Sequence, residues 1–278
     1  MENIKYSVLL PIYNKEQPKY FNLSIKSIVE QTIFPDEIVI VKDGKLTQEL
    51  DKVINKYQKR YPNKFKIVCL EENKGLGIAL KNGINNCKNE YVARMDSDDY
   101  SVPNRMEQQI KYLETNKDVD IIGGYIEEYD ENMENLISKR IVPIEDKDIK
   151  KEMVKRCAFN HSTVMYKKSK IIEVGNYSNK RTMEDYDLWI RCTKKGYKMH
   201  NLPMVLTKNR TGDNMYKKRA GKKYIKTIIE IENLLYSLNM INIFQKWYNI
   251  IVRAIVAIVP AKIRKIIYIK ILRRNKEI

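Results

Sequence analysis

The first hundred residues read as alternating blocks of two periodicities. Tyr6 to Ile12 (YSVLLPI) is unbroken apolar sequence, the mark of a strand covered on both faces. Pro18 to Gln31 follows with helical spacing and a proline near its first turn. Glu37 to Val41 (EIVIV) predicts a second buried strand, stopped by Asp43-Gly44. A polar helix is predicted from Thr47 to Arg60, and a third strand from Phe65 to Leu70. Leu76 to Cys87 predicts a helix, and Tyr91 to Met95 a short fourth strand. Strands separated by helices at this spacing predict βαβ units, right-handed crossovers and a mainly parallel sheet.

The pattern loosens after Asp96. Pro103 to Asn116 predicts a helix, Val119 to Tyr125 and Ser162 to Tyr166 predict strands, and Glu184 to Lys195 predicts another helix. Lys217 to Asn239 reads as a long helix, and Ile241 to Arg274 as helix broken at Pro260. The expected architecture is therefore an α/β domain over residues 1–215 and a helical, basic region over residues 216–278.

Composition adds three constraints. A chain of 278 residues with 43% hydrophobic content supports a sizeable core. Cys69, Cys87, Cys157 and Cys192 are scattered with no C-x-x-C pair, which predicts a reducing compartment and no zinc ribbon. Met1 to Lys5 runs directly into the first strand pattern and does not read as a signal peptide. The net charge of +17 is unevenly placed. Residues 216–278 hold 15 Lys/Arg against 3 Asp/Glu, leaving 37 against 32 in the first 215 residues. A basic tail on a nearly balanced body predicts an anionic surface as partner.

In open α/β sheets, ligands bind at the carboxyl ends of the strands. Four segments there end in polar or acidic residues: Tyr13-Asn14, Asp43-Gly44, Glu72-Asn73 and Asp96-Ser97-Asp98-Asp99. Three carboxylates in four residues repel one another until a cation neutralises them. Asp96 and Asp98, one residue apart, can offer oxygens to one side. Hard cations such as Mg²⁺ and Mn²⁺ take such ligands and bridge to phosphates. A solvated acidic turn is the competing reading. With only His161 and His200, a His-rich metal site is excluded, and His200 is assigned no role.

The segments YSVLLPIYN, IVIVKDG, NKGLGIALKNG, YVARMDSDD followed by VPNR, NHSTVM and MEDYDLWIR appear in this order. Together they resemble family-two glycosyltransferases of the GT-A fold, especially the bacterial polysaccharide and lipopolysaccharide branch. The resemblance spans about residues 5 to 210. It implies an inverting transfer of a hexose or N-acetylhexosamine from a nucleoside-diphosphate sugar, UDP-linked, to a glycan or lipid-linked acceptor. Pro11, Tyr13 and Glu16 would lie around the nucleotide. Asp43 would meet the base or ribose, and Asn73 the nucleotide or sugar. Asp96 and Asp98 match the D-x-D motif, with Asp98 the stronger metal ligand for Mn²⁺ or Mg²⁺. Asp185 matches the catalytic base, and His161 a histidine near the acceptor or diphosphate. One departure is plain: Lys42 stands where many relatives carry a first aspartate. It is either harmless and exposed or alters base or acceptor preference.

Glycosyl transfer needs a base for a poor hydroxyl nucleophile and a cation for the departing diphosphate. Asp185 opens a helix, where acids also favour the dipole, with Thr182 as a candidate cap and Asp187 as a rival base. Arg210 could reach the diphosphate or could be a solvated loop residue. In the tail, Trp247 to Pro260 (WYNIIVRAIVAIVP) is apolar with one arginine, shorter than the roughly 20 residues a membrane span needs. Lys262 to Arg274 mixes isoleucines with six Lys/Arg, with Lys270 and Arg274 near the apolar side. This predicts peripheral attachment to the inner face of an anionic membrane, with packing on the catalytic domain or in a dimer as the competing reading. Two rival functions follow from the same features. A nucleotidyltransferase would need a phosphate-gripping glycine loop that Gly75-Leu76-Gly77 does not form. A nucleic-acid-binding protein is argued against by the near-neutral body.

Overall fold

The computed structural model describes residues 4–180, 182–212 and 219–267. Among these, nine strands form one mixed sheet in the order β3-β2-β1-β4-β8-β6-β9-β5, with β7 pairing β6. The first half is parallel. β1 (Tyr6–Ile12) lies between β2 (Glu37–Lys42) and β4 (Tyr91–Arg94), and β3 (Phe65–Cys69) extends β2. Every residue of β1 is buried, because its alternate side chains enter two different cores. Tyr6, Val8, Leu10 and Ile12 meet α1 (Pro18–Val29), α2 (Gln48–Arg60) and α4 (Arg105–Thr115). Leu9 faces α3 (Leu76–Asn86) and the helices behind it. A Cβ on Gly83 would stand 2.2 Å from Leu9 Cδ1, so that glycine is what lets α3 sit close on the sheet.

The second half is largely antiparallel. β6 (Ile121–Tyr129) pairs with β7 (Leu136–Arg140) and with β8 (Met165–Lys167), and β8 also runs against β4. β9 (Met199–Arg210) runs parallel to β6, and its end pairs with the two-residue β5 (Tyr100–Ser101). That last pairing returns Lys208–Arg210 to the acidic segment following β4. Helices α5 (Asp146–Met153), α6 (Lys168–Glu173) and α7 (Glu184–Lys195) cover the Trp189 side of the sheet.

One expectation changes here. Ser162–Tyr166 is not one strand: His161–Thr163 is a 3₁₀ turn and the strand begins at Met165. The C-terminal region is tied to the body. In α8 (Gly221–Ser237), Ile231 and Leu235 are fully buried in the same core as Trp189. A capping box of Asn242 and Gln245 then starts α9 (Ile243–Ile258), and α10 (Ala261–Ile267) follows Pro260. The expected domain boundary near residue 215, and Lys270 and Arg274 of the basic segment, lie outside the described residues.

Candidate active site

The carboxyl ends of β1, β2 and β4 place three loops side by side. After β2, Asp43 is buried, and its two oxygens accept hydrogen bonds from Lys74 N (2.8 Å) and Gly75 N (3.0 Å). This clamps the Asn73 loop against Asp43, with Asn73 itself exposed. Lys42 is half-buried rather than exposed, its ammonium 2.7 Å from Asp51 of α2. After β1, Tyr13 is exposed, and Glu16 accepts a hydrogen bond from Ser97 Oγ at 2.8 Å. Pro11 is buried inside β1 opposite Val41; the β4 pairing has already ended at Leu9–Arg94, so no ladder bond from β4 is lost there.

The Asp96–Asp99 segment divides its carboxylates between two tasks. Asp99 is buried and structural: it accepts from the Asn209 side chain and from Arg210 N at 3.0 Å, joining the end of β9 to the acidic turn. Asp96 pairs with the guanidinium of Arg94, which is almost wholly buried beneath it. Burial opposes the Arg94 charge, but the Asp96 carboxylate holds its pKa above the ordinary value. Among the described residues, Asp98 forms no ion pair, and the Arg94 charge acts on it more weakly than its acidic neighbours do. Burial first, then the charges of Asp96 and Glu16, push its carboxyl up to about 7.

Across the cleft, α7 begins at Glu184-Asp185. The cap is not Thr182, whose hydroxyl bonds Thr227 at 3.0 Å. It is Met183, in the left-handed region at φ 60° with no side-chain cap bond. Glu184 is buried, and burial together with Asp185 raises its pKa to about 7, with Asp96 adding to the push. Asp96 and Glu184 thus share one electrostatic environment although 88 positions separate them in the chain. Asp185 is half-buried, with Cys157 Sγ 3.9 Å from its Oδ2. Asp187, the rival base, is spent on structure: its oxygens lie 2.8 Å from Arg191 and 3.8 Å from Lys180.

His161 sits in the turn before β8, bonded to Tyr177 Oη at 2.7 Å and edge-on to Trp189. Burial and the Arg94 charge hold its imidazole well below the ordinary value, so it is neutral near pH 7. Arg210 is not a loop residue. It ends β9, stacks over the Tyr20 ring at 3.9 Å and donates to Glu131 O at 2.8 Å. The structure therefore gathers Tyr13, Glu16, Asp96 and Asp98 on one edge, with Glu184, next to Asp185, in reach of the Asp96 charge and Asp43 and Asn73 on the neighbouring loops. Sequence reading missed Arg94 and Asp99, the two groups that sort the acidic cluster. The only available signals were a lone arginine in an apolar strand and a third aspartate.

The seat of Asp185 depends on Gly77 at the start of α3. A Cβ there would lie 2.2 Å from Ser178 O and 3.3 Å from Glu184 Cβ. In a helix, Gly→Ala alone would gain up to about 1 kcal/mol. Against a backbone oxygen the overpacking cost of about 1–3 kcal/mol wins. Gly77→Ala is therefore expected to lower the melting temperature and to lower kcat by displacing the α7 start. An unchanged melting curve would contradict the packing described.

Comparison with known proteins gives the family. The profile of glycosyl transferase family 2 matches residues 7–175. The amylovoran biosynthesis glycosyltransferase AmsE of Erwinia amylovora is 36% identical over 265 residues, covering 95% of this chain and 98% of that protein. A UDP-Gal:α-D-GlcNAc-diphosphoundecaprenol β-1,3-galactosyltransferase of Escherichia coli is 37% identical over 270 residues, covering 97% of each chain. Among solved structures, S. aureus TarS aligns with a TM-score of 0.65 at 16% identity, over 96% of this chain and 44% of that one. The mannosyltransferase PcManGT from Pyrobaculum calidifontis, in complex with GDP-Man and Mn²⁺, aligns with a TM-score of 0.62 at 15% identity, over 90% and 69%. Profile, full-length relatives and fold agree: this chain belongs to glycosyl transferase family 2 and is a glycosyltransferase of the GT-A fold.

Proposed function

We propose that this enzyme moves a hexose or N-acetylhexosamine from a UDP-linked donor to a hydroxyl of a lipid-linked glycan. It does so with inversion and divalent-cation dependence, in cell-surface polysaccharide assembly. The carrying observation is the meeting of Glu16, Asp96 and Asp98 with Glu184-Asp185 at one edge of the sheet, close enough for Asp96 to act on Glu184.

The oxygen-only donors suit Mn²⁺ or Mg²⁺. Among the described residues, no three His, Cys, Asp or Glu side chains surround one point. That fits an ion held by one or two carboxylates and completed by substrate phosphates. Asp98, with Asp96 beside it, would hold the ion. Bound there, it would supply charge stabilisation for the departing diphosphate. Asp185 would take the acceptor hydroxyl's proton, leaving the hydroxyl to attack the anomeric carbon from the side opposite the diphosphate. Tyr13, Asp43 and Asn73 would frame the nucleoside, with Pro11 buried beneath them. Arg210 and neutral His161 would border the diphosphate side. The test is product anomericity by NMR: an α-linked donor is expected to give a β-linked product, and an α-linked product would overturn inversion.

Peripheral attachment to the inner membrane face belongs to this proposal. No helix among the described residues is long and apolar enough to cross a membrane. Yet α9 exposes Phe244 (83%), Trp247, Ile251, Ile255 and Ile258 at helical spacing. Phe244→Glu combined with Trp247→Glu, both on the exposed face, is expected to cut flotation with anionic liposomes by tenfold or more while leaving the melting temperature unchanged. Undiminished flotation would contradict attachment through α9.

A further inference from the structure

A cavity of about 800 Å³ lies where α8 and α9 cross the segment Val154–Cys157 and the start of α7. Asn249 of α9 donates to Val154 O at 3.3 Å, and Arg253 bonds Lys155 O and Tyr186 Oη, so the crossing is a formed contact. Among the described residues, Arg140, Lys155, Arg156, Arg219 and Arg253 line the cavity against one carboxylate, Glu152. Glu152 pairs with Arg156, and buried Glu232 stands behind Arg253. The remaining wall is largely apolar or aromatic, including Tyr186, Ile228, Ile241, Val252 and Val256, with the amides of Gln245 and Asn249 between them.

Two edges of the cavity carry its meaning. At one, the wall residue Cys157 is 3.9 Å from the Asp185 carboxylate. At the other, Tyr248 (69% exposed) and Val252 (43% exposed) belong both to the lining and to the exposed apolar face of α9. The space thus runs from the apolar outer face of α9 to the residue beside the base. Its size is that of a ligand site, and its walls combine cations with hydrocarbon.

We infer that this cavity holds the phosphate groups and the first lipid segment of the acceptor. Guanidinium and ammonium groups match phosphate oxygens, and the Ile228–Val252–Val256 wall matches hydrocarbon. A lipid phosphate seated there would bring its attached sugar to Asp185. The inference rests on the transferase reading above and deepens it by assigning the acceptor's anionic end to a named site.

The test titrates the full chain with farnesyl diphosphate, inorganic diphosphate and farnesol by calorimetry. EDTA is present to close the metal-dependent donor site. Farnesyl diphosphate is expected to bind at least tenfold tighter than either fragment. Lys155→Glu with Arg156→Gln, and separately Val252→Asp on the opposite wall, are each expected to weaken it tenfold or more. UDP with Mn²⁺, measured on the same preparations without EDTA, is expected to bind all three proteins alike. Equal farnesyl diphosphate affinity in wild type and both variants would overturn the cavity assignment. So would inorganic diphosphate binding as tightly as farnesyl diphosphate, which would show an anion site without a lipid site. Loss of UDP–Mn²⁺ binding from the wild type would instead strike the transferase reading.

Discussion

Asp185→Asn is expected to lower kcat by about 10²–10⁴-fold, the range for removing a positioned general base. The substitution keeps the shape of the side chain and removes its charge and with it its ability to take a proton. Asp185 lies one residue from the buried Glu184, and the Cys157 thiol stands 3.9 Å from its carboxylate, with a pKa that burial and Asp185 itself push up to about 12. That thiol is therefore protonated at neutral pH and does not stand in as a base. The donor KM and UDP affinity are expected to stay within about twofold, because the nucleotide loops lie on β1, β2 and β4. Asp187→Asn makes the control. It breaks the ion pairs with Arg191 and Lys180, so its expected effect is on melting temperature rather than on the pH dependence of kcat. Near-normal turnover in Asp185→Asn would remove Asp185 from the mechanism.

Asp98→Asn is expected to abolish turnover and yet stabilise the ligand-free protein. Metal-assisted departure of the diphosphate is lost, at a cost of at least ~10²-fold. The stability effect follows from the raised carboxyl of Asp98, pushed to about 7 by burial, Asp96 and Glu16. A carboxyl whose folded pKa lies above its unfolded value near 4 binds its proton more tightly when folded. Its burden on the fold is absent below about pH 4 and grows as pH rises, reaching its full size above about pH 7. Asparagine carries no such charge. In EDTA at pH 8, Asp98→Asn is expected to be more stable by about 1–2 kcal/mol, or about 2–8 °C in Tm. Near pH 4 the two proteins should melt together. Adding UDP and Mn²⁺ should raise the Tm of the wild type only, since ligand binding stabilises by mass action. A variant less stable than wild type at pH 8 would contradict the electrostatic account of the acidic cluster.

The parts of the fold that were legible are those whose burial is periodic. β1 reads as a strand because all seven residues are buried between two helix layers. α7 spans the predicted Glu184–Lys195 because its apolar side packs around Trp189 and Gly196 ends it in the left-handed region. The elements missed are short or patterned by long-range contacts. α5 buries only Ile149 and Met153, too few positions to show a period. Of β9 only the start, around Lys198–His200, reads as a strand; beyond it Pro203, Lys208, Asn209 and Arg210 interrupt a run that pairs only because β6 and β5 supply distant partners. The site divided in the same way. Motif order singles out Asp43, Asp96, Asp98 and Asp185 as candidates. The division of labour within the acidic turn depends on Arg94 beneath Asp96 and on Asn209 and Arg210 reaching Asp99 from 110 and 111 positions away. Such pairings leave no local trace in the sequence.

The most direct test of the central claim is nucleotide release across UDP-, GDP- and TDP-sugars, with Mn²⁺ and with EDTA, beside calorimetric binding of UDP. The account predicts release from a uridine-linked donor that EDTA abolishes, with UDP bound only when the metal is present. Release that EDTA leaves intact, or no release together with no UDP–Mn²⁺ binding, would contradict it.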